Sequence, residues 1–165
     1  MKQRIALSLC LLLLFSCMGC RQDPGADVDS AHFYYPRAQL SFDSGSSAFE
    51  AEYRHMDQWS SWAQVLDIYL AGPASNQLRS PFPAGIKVIN TTMENGTVTI
   101  NVSQELAQLS GLELTIACGC LTLTCLELTG AETIIIRADG ALLDGQKSIR
   151  MNKNTLMLLD ITEGE

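Results

Sequence analysis

Apolar positions change their period several times along this chain. Ile5 to Phe15 is an apolar run broken only by Ser8 and Cys10, behind a positive start at Lys2 and Arg4. Arg21 to Ser30 is polar and reads as a tether. His32 to Tyr35 is a short aromatic strand that Pro36 ends. Ala48 to Tyr53 alternates, with Phe49, Ala51 and Tyr53 on one face, and Asp43 to Ser47 before it reads as a turn or loop. From Asp57 the period lengthens. Trp59, Trp62, Leu66 and Tyr69 fall on one helical stripe, backed by Ala63 and Leu70. Asp57 can cap this helix and Gly72-Pro73 stops it.

The second half opens on a hairpin. Ile86 to Asn90 alternates, Asn95-Gly96 supplies two residues that tolerate positive φ, and Val98, Ile100 and Val102 alternate again. Asn90-Thr91-Thr92, Asn95-Gly96-Thr97 and Asn101-Val102-Ser103 match the glycosylation pattern but read as strand and turn residues. Leu112 to Leu128 is almost wholly apolar, so periodicity cannot separate strand from helix there. Its length favours a buried helix, since strands run about 4–8 residues, and Gly130 ends it. A membrane span takes about 20 apolar residues, which this stretch only approaches. Thr133 to Arg137 is the next strand, turned by Asp139-Gly140, and Leu156 to Asp160 reads as a last strand. There is no repeat and no second domain.

The N-terminal run is too short to span a bilayer but fits the roughly 7–15 apolar residues of a secretory signal. Two cysteines come directly after it. Leu14-Phe15-Ser16-Cys17 resembles the bacterial lipobox, with Leu three positions before the cysteine and a small residue just before it. Cys20 is the alternative, but Cys17 is a poor occupant of its Leu position. A thiolate would take the diacylglycerol, and acyl chains contribute about 0.8 kcal/mol per buried CH₂. The organisation is then a signal peptide over 1–16, a lipidated tether over 17–31 and a domain over 32–165. The expected location is the cell membrane, lipid-anchored on its extracytoplasmic face. An uncleaved anchor helix is the blander reading.

The net charge of −7 becomes −9 when Lys2 and Arg4 leave with the signal. Such a balance carries no electrostatic footprint for nucleic acid. It would also be repelled by anionic lipid, so an anchor and not the surface must hold the chain at a membrane.

Candidate chemistry is sparse. Cys118, Cys120 and Cys125 remain beyond the signal region, an odd number that indicates no closed disulfide framework. On a helix, Cys118 and Cys125 lie about 10 Å apart, too far to bond. Zinc would need a fourth ligand, and His32 and His55 are distant in sequence. Small buried hydrophobes are the better reading of these thiols. No cofactor or metal site is expected. Ser44-Gly45-Ser46 sits in a turn and makes no nucleophile motif. Gly140 and Gly145 have phosphate-loop spacing, but Gln146 stands where Lys147 should, and no helix is expected after Ser148. Asp139 and Asp144 sit at turns, as their side chains favour. No catalytic residue stands out.

Four pieces in order carry a resemblance. Tyr34-Tyr35-Pro36 comes after the tether, and the first helix ends Tyr69-Leu70-Ala71-Gly72-Pro73. The run from Leu78 to Val88 leads into the hairpin from Asn95 to Ser103, and the apolar helix ends Thr124 to Gly130 before a strand closing Arg137-Ala138-Asp139-Gly140. This resembles the GerMN domain of sporulation and spore germination proteins, over roughly residues 33–160. The resemblance implies a compact α+β domain, two helices on a small mixed or antiparallel sheet, similar to ring-building domains. It implies a non-enzymatic role in assembling envelope complexes and attaches no catalytic residues. Expected partners are the membrane through the anchor and envelope or sporulation proteins, with self-association left open. A well-known member has two such domains in tandem, and this chain has one. The alternative is a ligand-binding lipoprotein serving a transporter or sensor, with Trp59, Trp62 and Tyr69 as its pocket.

Cys17→Ala should leave an unlipidated precursor, read by mass spectrometry of the membrane fraction. Persistent lipidation would move the site to Cys20.

Overall fold

The computed structural model describes residues 30–39, 49–55 and 61–156. Strands β1 (Ser30–Pro36) and β2 (Phe49–His55) form an antiparallel pair. Helix α1 (Trp62–Leu70) comes next. Strands β3 (Val88–Glu94) and β4 (Thr97–Val102) make the hairpin. A 3-10 turn (Gln104–Gln108) leads to α2 (Gly111–Thr129), then β5 (Thr133–Ala138), β6 (Ile149–Asn152) and a single-turn helix α3 (Lys153–Leu156). The second sheet has the order β3-β4-β5-β6, with β4 and β5 parallel and the other pairs antiparallel. The architecture is α+β, with three helices among the described residues, the third a single turn, where two were expected.

Helix α2 explains its own composition. It packs against β1 on one side and against β5 and β6 on the other. A helix covered on several sides has no polar face to keep, so its sequence is apolar all round. Leu114, Ala117, Cys118, Leu121 and Cys125 are buried along it. It is long and apolar enough to cross a membrane, but these contacts make it the core helix of the domain. Gly130 closes it at φ +65°, a left-handed cap whose N–H donates to the Leu126 carbonyl.

The core side of the larger sheet is supplied by alternate residues: Val98, Ile100 and Val102 from β4, and Ile134, Ile136 and Ala138 from β5. The hairpin turns at Asn95 (φ +48°) and Gly96 (φ +71°), as the Asn-Gly pair foretells.

A tyrosine clasp joins the two helices to β1. The Tyr35 hydroxyl donates to the Tyr69 carbonyl at 2.7 Å, and the Tyr69 hydroxyl donates to the Tyr34 carbonyl at 2.8 Å. The Tyr34 N–H donates to Thr124 Oγ1 of α2 at 3.0 Å. Phe33, Tyr35 and Phe82 rings all lie within about 5 Å of the Tyr69 ring.

The structure changes three expectations. Helix α1 begins at Trp62, capped by Ser61, whose Oγ accepts from the Gln64 N–H, so Asp57 is not the cap; Asp57 and Trp59 lie outside the described residues. Leu156 closes a helical turn, and the rest of the strand expected over Leu156 to Asp160 lies outside the described residues. The last strand among the described residues is β6, only four residues long, after which Asn152 and Thr155 bond each other reciprocally and start the turn. On β2, the alternating apolar residues face outward: Tyr53 is 61% exposed and Ala51 is exposed.

The opposite face of β2 explains that inversion. Glu52 and Arg54 turn inward as a brace. Glu52 accepts from Arg54 Nε at 2.6 Å and from the N–H groups of Ala74 and Ser75 at 2.9 and 2.8 Å. Arg54 donates to the Gly72 carbonyl at 2.6 Å and lies over the Phe33 ring. The loop that ends α1 is thus tied to β2 by charge-assisted bonds. Burial alone would raise the Glu52 carboxyl; the two backbone donors and Arg54 outweigh it and hold it below its usual range.

Two threonines of α2, both fully buried, give a prediction of opposite signs. Thr124→Val strands the Tyr34 N–H and should cost about 1–3 kcal/mol in urea unfolding. Thr122 Oγ1 has no partner among the described residues, so Thr122→Val should be neutral or stabilising. Equal losses would refute the clasp as a determinant. A second prediction concerns pH. A carboxyl depressed in the folded state stabilises above its unfolded pKa, about 4.3, and that contribution disappears as pH falls through the folded value. Glu52→Gln should cost about 1–2 kcal/mol at pH 7 and flatten the acid limb of stability below about pH 4.5. An unchanged acid limb would show that the brace does not drive it.

Candidate functional site

The surfaces differ sharply in character. Tyr69, which with the two tryptophans would form the pocket of the alternative ligand-binding reading, is fully buried in the aromatic core. Trp62 is half-buried, and its indole Nε1 is buried without a hydrogen-bond partner among the described residues. Tyr69 belongs to the core packing and offers no face to a ligand. Cys17, Cys20 and Ser44 to Ser46 lie outside the described residues.

The three thiols of α2 are free and at most 1% exposed. Burial, then the charge of Asp144, pushes the Cys118 thiol up to about 12. Burial raises Cys120 and Cys125 further still. Reactivity belongs to the thiolate, so these are inert fillers of a crowded helix. Among the described residues no three His, Cys, Asp or Glu side chains converge on a metal site.

At the C-terminal end of α2, Glu127 collects two β1 side chains. His32 Nδ1 contacts Glu127 Oε1, and the Tyr34 hydroxyl donates to Glu127 Oε2 at 2.6 Å. Burial, then the hydrogen bond and charge of Glu127, push the Tyr34 hydroxyl up to about 12, which keeps it a donor. In the sequence Glu127 is legible only as a boundary of the apolar run; its role depends on β1 arriving beside it.

Asp139 and Asp144 sit at positive φ in turns, as anticipated. Asp144-Gly145 makes a two-residue reversal in which Leu143 and Gln146 exchange both backbone hydrogen bonds. Lys147 therefore leaves a hairpin, not a phosphate loop. Asp144 Oδ2 also accepts the Gly111 N–H at the start of α2.

Two surfaces remain open. The first is the edge strand β3. Its first residue, Val88, donates its N–H to Asp67 Oδ1 of α1. Beyond that point β3 has no strand on its outer side among the described residues. Ile89 and Met93 on β3 and Ile68 on α1 are 50%, 45% and 42% exposed. An uncovered edge beside apolar side chains is a template for another chain. The second is the face of the larger sheet opposite the core, polar throughout β3 and β4 and edged by the loop after β5. The alternation marks β4 correctly but catches only the start of β3, where a register shift between Val88 and Asn90 breaks it, and it gives no hint which edge is left unpaired.

Comparison with known proteins places these features. The chain matches the family model "Germane: Sporulation and spore germination" over residues 33–144. No curated protein matches it by sequence. Its fold is similar to the first GerMN domain of the Bacillus subtilis sporulation protein GerM, with a TM-score of 0.58 and 20% identity, over 77% of this chain and 99% of that one. It is also similar to the tandem GerMN domains of the same protein, with a TM-score of 0.56 and 16% identity, over 72% of this chain. It spans 43% of that tandem-domain chain. The family is not known as an enzymatic one. With a family match over most of its length and the GerMN fold, this chain belongs to the sporulation and spore germination family.

Proposed function

We propose that this chain is a lipid-anchored, extracytoplasmic docking module that helps assemble envelope complexes during sporulation or germination. Cys17 would carry the lipid, with Cys20 the alternative, and the residues up to Ser30 would tether the domain near the membrane. Membership of the family supports the biological setting. The observation that carries the docking role is the open β3 edge with Ile89, Met93 and Ile68 beside it. A partner presenting an extended segment with alternating apolar side chains fits this edge. Main-chain hydrogen bonds would supply affinity and the apolar side chains specificity. The anchor contributes by confining the domain to a surface, which raises the effective concentration of membrane-bound partners.

A photo-crosslinking residue placed at Met93 should trap a discrete envelope protein in sporulating cells. One placed at Lys153, on α3, should not. Ile89→Lys combined with Met93→Lys should abolish the adduct while leaving the folded chain soluble. Absence of any Met93 adduct through sporulation and germination would sink the docking role for this edge.

A further inference from the structure

The open face of the larger sheet is chemically unlike the β3 edge. Asn90 and Thr92 of β3 lie beside Asn101 and Thr99 of β4, in the register Asn90 to Asn101 and Thr92 to Thr99. Asn101 in turn pairs with Arg137 of β5. The row Asn90, Asn101, Arg137 therefore crosses three strands, roughly 10 Å at the usual strand spacing. Lys147, from the loop after β5, joins them along one shallow cleft. Asn90, Thr92, Arg137 and Lys147 are exposed.

This face carries exposed cations: Arg137 and Lys147 at the cleft, and Arg150 opposite Ile135. Neither Arg137 nor Lys147 forms an ion pair among the described residues, although the chain as a whole carries −7. Two carboxylates, Glu94 and Glu132, stand at the other end of the sheet, and Asp139 stands beside Asn101 at this one. Glu94 pairs with Thr97 at the hairpin, and Glu132 lies against Gly96 there. Two unneutralised cations on an acidic chain are complementary to an anionic partner. The neutral residues between them each carry both a donor and an acceptor. Asn101 is oriented: its Oδ1 accepts the Asp139 N–H, which leaves its amide N–H groups for a ligand. No aromatic side chain lines the cleft, and Leu142, 54% exposed, is its one large apolar residue. A lattice of hydroxyls and amides flanked by two cations suits a chain rich in hydroxyls and bearing carboxylates.

We infer that this face binds an acidic polysaccharide, with Arg137 and Lys147 taking its carboxylates and the Asn and Thr side chains its hydroxyls. Arg137 is suited to a bidentate carboxylate contact, and Lys147 acts as a point charge. The contacts are solvent-exposed, so the affinity is modest and falls with salt. Glycan binding on this face is independent of the docking role of the β3 edge, because it is measured on the purified chain alone.

The full chain, purified in detergent, is titrated by calorimetry with oligogalacturonate, with dextran oligosaccharide of equal length and with polyglutamate. Oligogalacturonate should bind. Dextran should not bind measurably, and polyglutamate should bind at least about fivefold more weakly. Arg137→Gln and Lys147→Gln should each weaken oligogalacturonate binding about fivefold, the range of one exposed charge contact. Both positions are exposed, so thermal unfolding should match the parent; should Arg137→Gln fail to fold, Lys147→Gln in the loop decides the matter. Equal binding of polyglutamate would replace the glycan with an acidic polypeptide. No oligogalacturonate binding, or binding untouched by the folded substitutions, would overturn the proposal.

Discussion

The backbone of Tyr34 is the point on which the domain closes. Tyr34 sits mid-strand in β1, paired to Ala51 of β2. Its carbonyl takes the Tyr69 hydroxyl from α1, and its N–H reaches Thr124 of α2. A buried strand edge with unpaired groups would cost about 1–3 kcal/mol for each. Here two side chains from two different helices take the place of a third strand. That fixes both helices relative to β1, and with them the four-stranded sheet on the far side of α2. The Tyr35 hydroxyl locks the same junction from the other direction, on the carbonyl at the end of α1.

This explains why landmarks so far apart in sequence travel together. Tyr34-Tyr35-Pro36 and Tyr69-Leu70-Ala71-Gly72-Pro73 are two sides of one contact. The second landmark ends in the loop that Glu52 and Arg54 hold, and the segment after it delivers Leu78, Phe82 and Ile86 to the core. Local pattern is enough for the hairpin turn and β4, for α2 and for β5, because there the residues that decide the conformation are neighbours. It fails where a distant partner decides. Phe49, Ala51 and Tyr53 form an apolar face by alternation, yet the strand turns its Glu52 and Arg54 inward, since the loop after α1 offers them backbone partners. β6 is hidden in the sequence because four residues give too little alternation to separate from a loop. Asp57 reads as a cap only when the helical stripe is extended back through Trp59.

The open surfaces are less legible than the fold. Nothing local distinguishes β3 from β4 as the edge strand; that depends on β5 pairing in parallel with β4 after the α2 crossover. Arg137 and Lys147 are ten residues apart, unremarkable in sequence, and meet only because the loop between them doubles back through Asp144-Gly145. Cys118, Cys120 and Cys125 show the opposite case. Their crowding in sequence invites a chemical reading that burial removes.

The position of α2 also decides which surfaces remain for function. Both sheets bury one side against this helix, and among the described residues no second long helix covers the far side of the four-stranded sheet. That side must therefore be soluble by itself, and its threonines and asparagines meet the requirement. An alternating sheet needs polar residues on such a face, but it does not need unpaired cations there. The packing of the domain accounts for the polarity and leaves the unpaired cations unexplained. Functions are grafted onto a fold at positions its stability leaves free. Arg137 and Lys147 occupy such positions: neither is buried and neither is in an ion pair among the described residues, so nothing in the folding of this domain requires a positive charge at either one.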